Sequence, residues 1–554
     1  MRLRLPILLM ALSVAVAAHA ASGRNGMVAA EHRLASEAGI RILQQGGNAV
    51  DAAVATSLAA GVVNPTSCGI GGGGFMLIFQ RATGDVYALD YRETAPAAAR
   101  RDMFVRDGQV VPELSLHSGL AVAVPGEIAG LFAALRRFGS LPFATVAAPA
   151  IAYARDGFAV EPHLAESIAH QLDALQARPA MAAIFLHPDG TPLQVGEMLR
   201  QPALAESLQA IARDGAAAFY AGPIAAAIVE SVRAAGGVLT SADLSSYRPI
   251  WRQPVAAEFH GYDIYGMPPP SSGGGVLITA LNILRGDDLP ALGHDSPTYL
   301  HALTEALQFA FADRAAYYGD PDFVHVPLRA LTAPARGHRL RQRMSAAKTF
   351  PPDFYGDHTL EGDAGTSHLS VVDAAGNAVA ATTSINTTFG AMVVAADRGI
   401  ILNDTMDDFS AQPGVPNAYG LIGSEANAIA PGKRPLSSMA PSIVTRSGHV
   451  VAVAGGSGGP FIITGTMQVL LNALVFGQDA ATAVAAPRIH TQWMPPFLMV
   501  ENGISPLDRW ALRRLGHRDV DAPSAAAVQL VLRAPDGGLD GAADERKGGV
   551  AVGW

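Results

Sequence analysis

Apolar residues recur every three or four positions from 29 to 60, with Leu34, Ala35, Ala38 and Ile42 on one face. The helical period breaks once, at Gly46-Gly47-Asn48, and predicts a second helix over 49–62. Residues 75–79 and 86–91 read instead as strands around a Thr83-Gly84-Asp85 turn. Between 125 and 345, Ala/Leu-rich helices alternate with Gly/Pro breaks such as 268–275, and a long helix over 301–318 stops at Gly319-Asp320-Pro321. Segment 349–365 is polar and broken, and reads as a linker. Beyond it the pattern is that of strands, at 368–373, 378–385, 393–396, 443–446 and 450–455. Helices before and after paired strands, with no internal repeat, predict a layered α/β protein with mainly antiparallel sheets.

Residues 1–20 stand apart from that fold. Arg2 and Arg4 precede an apolar run from Leu5 to Ala18, and Ala18-His19-Ala20 has the small-x-small form of a leader cleavage site. The run is short for a membrane span and no lipid-anchor cysteine follows, so a periplasmic or secreted protein cut near Ala21 is expected. Composition narrows the function. With 49% hydrophobic and 16% charged residues the 554-residue chain is not disordered. Its net charge of −9 and scattered basic residues leave no nucleic-acid footprint. The single cysteine, Cys68, excludes an intrachain disulfide framework and reads as a small buried residue.

Gly71-Gly72-Gly73-Gly74 is followed by Phe75-Met76, not the Lys-Ser/Thr of a phosphate loop, and it joins helix to strand rather than strand to helix. Close packing is the better account. The histidines show no metal-ligand spacing; His301, His368 and His490 read as isolated structural hydrogen-bonders, so no metal site is expected. Two strand-like runs flank the loop ending in Gly376, and pairing Asp373 with Asn377 sets Thr366 opposite Ser384. On this stretch alone an ordinary cross-strand pair is the better account. A nucleophilic hydroxyl needs a base, and neither a Ser-His-Asp set nor a Gly-x-Ser-x-Gly elbow is evident. An N-terminal threonine supplies its own α-amine. That solution requires a cut at Gly365–Thr366, where Gly365 tolerates a strained backbone. Downstream lie an acidic loop (402–410), paired hydroxyls at Ser437-Ser438, and Gly455-Gly456-Ser457-Gly458-Gly459, whose backbone N–H groups suit an oxyanion hole.

Taken together these motifs resemble the gamma-glutamyltranspeptidase (glutathione hydrolase) family of N-terminal nucleophile hydrolases. Carrying the resemblance are Gly46-Gly47-Asn48-Ala49-Val50-Asp51-Ala52-Ala53, Gly69 to Met76, Tyr91-Arg92-Glu93-Thr94-Ala95-Pro96 and Ala123-Val124-Pro125-Gly126. The Thr366 segment, Asn386-Thr387-Thr388-Phe389-Gly390, Met406-Asp407-Asp408-Phe409-Ser410, Arg434 to Met439, Ser457-Gly458-Gly459 and Ala486 to His490 follow in the family's order.

The resemblance implies a four-layer αββα fold made of two subunits, 21–365 and 366–554, cut from one precursor and intertwined. It makes Thr366 the self-processing residue and nucleophile, supported by the Ser384 hydroxyl, with Gly458 and Gly459 as the oxyanion hole. Arg92, Ser437 and Ser438 correspond to the residues holding a γ-glutamyl α-carboxylate; a guanidinium fork suits that task. Asn386 and Asp408 correspond to those around the α-amino group. Thr405 stands where many members have glutamine or glutamate, so either water fills the gap or amine recognition weakens. Segment 413–420 resembles a lid loop, with Tyr419 as its closing aromatic. The implied reaction is transfer of the γ-glutamyl group of glutathione or related compounds to water, an amino acid or a dipeptide, without metal or organic cofactor. The alternatives are a cephalosporin-acylase-like glutaryl amidase on the same fold and an unprocessed periplasmic binding protein.

Overall fold

Strand side chains point alternately to two faces, and in the central strands of this chain both faces are apolar. Phe75, Leu77 and Phe79 meet Val372, Val453 and Val531 in one buried layer. Met76 and Ile78, between them, meet helices and Val371 in another. Such strands need cover on both sides, and a layered sandwich supplies it. The computed structural model describes residues 19–356 and 366–554, apart from 396, 413 and 523–525. The expected leader up to residue 18, Gly365 and Pro413 of the lid segment lie outside the described residues.

Two seven-stranded sheets form the centre. The first takes β1 (His19–Gly23), β6 (Val255–Phe259), β7 (Tyr262–Gly266), β10 (Ser442–Arg446), β11 (His449–Ser457), β12 (Ala527–Arg533) and β13 (Leu539–Ala543), in the spatial order β1-β13-β12-β11-β10-β7-β6. The second takes β2 (Gly26–Ala30), β3 (Gly73–Gln80), β4 (Asp85–Tyr91), β5 (Ile250–Arg252), β8 (Ser367–Asp373), β9 (Ala378–Ser384) and β14 (Val550–Gly553), in the order β14-β2-β8-β9-β3-β4-β5. Every ladder in both is antiparallel. Helices α1 (Arg33–Gln44), α2 (Ala49–Val63), α3 (Glu127–Phe138) and α4 (Phe143–Asp156) belong to the layer over the second sheet. Helices α5 (Gly273–Leu284), α6 (Pro297–Tyr317) and α7 (Phe461–Leu474) belong to the layer over the first. This is the four-layer αββα arrangement. No helix among the described residues is long and apolar enough to cross a membrane.

The Gly46 to Ala53 motif has a local explanation. Asn48 accepts hydrogen bonds from the Val50 and Asp51 N–H groups, and Asp51 returns one from the Asn48 N–H, which closes a capping box at the start of α2. Asp51 also accepts from the N–H groups of Ser140 and Leu141, tying the α3–α4 turn to that helix end.

Two expectations change, and a third position proves to lie in a strand. The helical stretch from 29 begins only at Arg33, because 26–30 joins the second sheet as β2. The expected cut near Ala21 falls inside β1, where Ala20 pairs with Ala542 and Ala21 with Gly541. The first half of the expected linker is packed: Phe350 stacks on Phe354, and Tyr355 packs edge-on against Phe309 of α6. Aromatic burial there outweighs the polar, proline-broken pattern.

Candidate active site

β8 starts at the mouth of the sandwich, and its register with β9 runs from Ser367 opposite Thr383 to Val372 opposite Ala378. The Asp373 N–H donates to the Asn377 carbonyl at 3.1 Å, so the register centred on Ala375 is realised. Thr366, 4% exposed, and Ser384 therefore stand side by side at the strand ends. Ser384 also pairs with Gly73 of β3. A side chain on Gly72 would collide with the Ser384 carbonyl, and one on Gly71 with that of Ile401. Close backbone approach, not phosphate binding, accounts for the glycine run.

Thr366 borders a small cavity shared with Arg92, Ser384, Asn386, Asp408, Tyr419, Ser437, Ser438 and Gly459. The fold thus gathers most of the sequence-expected residues in one place. Arg92, buried, and Asp408, largely buried, form a short ion pair. Burial pushes the Asp408 carboxyl up, against the pull of Arg92 and Arg314. The cavity is about 20 Å³, room for about one water.

The serine loop is held from several sides. The Ser437 carbonyl accepts from the Ser272 N–H at 2.8 Å and its hydroxyl at 2.7 Å. Arg314, on α6, donates to the Ser272 hydroxyl at 2.9 Å and the Ser438 hydroxyl at 3.3 Å. Asp90 accepts from the Arg92 N–H and pairs with Arg434 at 2.6 Å, which joins the arginine strand to the loop before Ser437. On the opposite wall, Tyr419 donates to the backbone carbonyl of Asn386 at 2.9 Å and to its side-chain oxygen at 2.6 Å. Its ring lies where a side chain on Gly459 would stand, and Gly459 adopts φ +55°. Gly458, at φ +119°, follows the end of β11 just before α7.

Thr405 departs from expectation. It is fully buried, its hydroxyl donates to Glu93 at 2.9 Å, and it does not border the cavity. The shorter side chain thus turns its hydroxyl to the buried Glu93. His301 is corrected too. Its Nδ1 lies 2.7 Å from His517 Nε2, and Glu305 completes the group. His368 and His490 are hydrogen-bonded to Thr382 and Thr464, and burial holds them neutral, at about 3 and about 4. Burial raises the Cys68 thiol, as befits an inert residue.

Sequence reasoning missed several groups. Glu93 is wholly buried 3.5 Å from Arg92. Asn417 donates to Asp408 at 3.2 Å. Lys547 donates to the Thr366 carbonyl at 2.8 Å and lies 3.6 Å from the buried Glu31. Glu127 accepts from Ser57 and Thr383, both at 2.7 Å. Glu93, as the neighbour of Arg92 in a quoted motif, and Asn417, inside the lid-like segment nine residues from Asp408, carried a signal; Lys547 and Glu127 are distant in sequence from the residues they serve.

A family profile described as Gamma-glutamyltranspeptidase matches residues 35–554. The chain belongs to the gamma-glutamyltranspeptidase family. It is 43% identical over 533 residues to a glutathione hydrolase proenzyme of Escherichia coli (strain K12), covering 95% of this chain and 91% of that one. Among solved structures, a cephalosporin acylase from Bacillus halodurans superimposes with a TM-score of 0.85 at 29% identity over 97% of both chains. The Helicobacter pylori gamma-glutamyltranspeptidase gives 0.57 at 39% identity, covering 58% of this chain and 92% of that one.

Proposed function

We propose that the chain is a glutathione hydrolase and γ-glutamyltransferase, exported with residues 1–20 as its leader and cut before Thr366 into interlocked pieces, 21–365 and 366–554. The observation that carries this reading is the cavity that Thr366 shares with Arg92, Asp408, Ser437 and Ser438. An α-amino-acid head bears one carboxylate and one ammonium. Arg92 and the two serine hydroxyls suit the first; Asp408 and Asn386 suit the second. Substrate charges then replace the partners that Arg92 and Asp408 offer each other.

In the reaction, the Thr366 hydroxyl attacks the γ-carbonyl while the Thr366 α-amine takes its proton. The Gly458 and Gly459 N–H groups stabilise the oxyanion, and Ser384 supports the nucleophile. The amide C–N bond breaks, the α-amine passes the proton to the leaving amine, and the γ-glutamyl group remains as an ester. Water, an amino acid or a dipeptide then takes it.

A glutaryl amidase is the second reading, favoured by the likeness to the Bacillus halodurans acylase. Asp408 weighs against it, because a glutaryl group has no ammonium for it. Comparing γ-glutamyl with glutaryl anilides separates the two, and selectivity for glutaryl would overturn our reading. Processing is tested with Thr366→Ala and N-terminal sequencing. The variant is expected to stay one uncut, inactive chain, and efficient cutting before residue 366 in it would exclude self-processing by Thr366.

A further inference from the structure

His301 and Glu305 stand four residues apart on α6 and so share a helix face. His517, beyond the helix Pro506–Arg514, reaches them from another part of the chain. One ligand atom from each of the three buried residues lies within 4.8 Å of the others. The surrounding bonds fix which atoms are available. His301 Nε2 lies 2.7 Å from the Ser345 carbonyl. A carbonyl only accepts, so Nε2 carries the proton and Nδ1 presents a lone pair toward His517. Glu305 is held by the Thr349 hydroxyl at 2.6 Å, by Gln308 at 3.2 Å and by the Tyr355 hydroxyl at 2.7 Å. An imidazole anchored on a carbonyl and a carboxylate held by donors are the outer supports that metal ligands usually carry.

We propose that His301 Nδ1, His517 Nε2 and the Glu305 carboxylate form a structural Zn²⁺ site, with water as the fourth ligand. Two imidazoles and a carboxylate suit zinc, which binds such nitrogens at about 2.0–2.1 Å. On uptake the His517 proton moves from Nε2 to Nδ1, and the ring remains neutral. The two facing nitrogens, 2.7 Å apart, separate by about 0.6–0.7 Å to reach tetrahedral spacing. His517 borders a cavity of about 300 Å³, shared with Gln308 and Thr349, which gives an ion a way in. The site would clamp α6, which carries Arg314, to the segment that follows the Pro506–Arg514 helix, with Ser345, Thr349 and Tyr355 as outer supports. It lies outside the acyl-transfer reaction and does not depend on the substrate reading.

The test is a Zn²⁺ titration of the untagged, chelator-stripped full-length protein by calorimetry, with Co²⁺ absorption reporting the ligand geometry. We expect about one ion per chain, ligand-field bands of a tetrahedral nitrogen/oxygen site, and a raised melting temperature. His517→Ala should weaken Zn²⁺ by about 100-fold or more, and Tyr355→Phe, which leaves all three ligands, by about 10-fold. If His517→Ala does not fold, Glu305→Gln carries the same test. The proposal fails if the wild type shows no saturable site at micromolar Zn²⁺, or if the ligand variants bind as it does.

Discussion

Arg92, buried, faces two carboxylates, Asp408 in direct contact and Glu93 at 3.5 Å. Burial opposes its charge, and the two acids more than restore it. The geometry of the guanidinium therefore matters as much as its charge. Arg92→Lys is expected to lower kcat/KM for γ-glutamyl donors by about 10-fold or more, since an ammonium cannot span the carboxylate with two parallel bonds. Near-native steady-state kinetics would remove Arg92 from the site. Position 405 gives the opposite kind of test. A glutamate there would meet Glu93 in a dry interior, where two carboxylates cannot both ionise. Thr405→Glu should cost about 3 kcal/mol of stability, most of it at neutral pH. Thermal unfolding at acidic and neutral pH checks this; an unchanged melting temperature at both would show that residue 405 does not face Glu93.

Among the elements, Glu127 at the start of α3 binds Ser57 of α2 and Thr383 of β9, one residue before Ser384. Burial pushes its carboxyl from 4.5 to about 7, against the pull of both hydroxyls. A carboxyl whose pKa is raised on folding favours the fold below its unfolded value. The advantage is lost as pH rises from 4.5 to about 7, by about 3 kcal/mol over that window. Glu127→Gln mimics the protonated form at every pH. The variant should therefore gain stability relative to wild type across that interval and hold the gain above it. A stability difference that stays flat with pH in denaturant titrations would show that Glu127 does not titrate there.

At the scale of the whole molecule, the proposed cut divides both sheets. β8 and β9 lie between β2 and β3, and β14 pairs with β2 on its other side. In the other sheet β1 flanks β13 at one end, and β7 pairs with β10 toward the other. Separating the pieces would expose unpaired strand edges and the apolar layer between the sheets. We expect the two pieces to co-elute in native size-exclusion chromatography and to separate only in denaturant. Elution of a free 366–554 piece without denaturant would contradict this topology.

Much of this was written in the local pattern. The α2 helix, the β3–β4 and β8–β9 hairpins and their register follow from periodicity and turn residues, which act between near neighbours. The motifs also named Arg92, Asp408, Ser437, Ser438 and Thr366 as one candidate set. What stayed hidden depends on residues far apart in the chain. Residues 29 and 30 read as the start of a helix until β8 offers them a ladder. Thr405 faces Glu93 across 312 positions, and Lys547 meets Thr366 across 181. His301 is isolated in sequence and paired with His517 in space. Local composition sets which backbone conformations are accessible, but burial and charge pairing depend on which distant surfaces close over a residue, and only the assembled sandwich decides that.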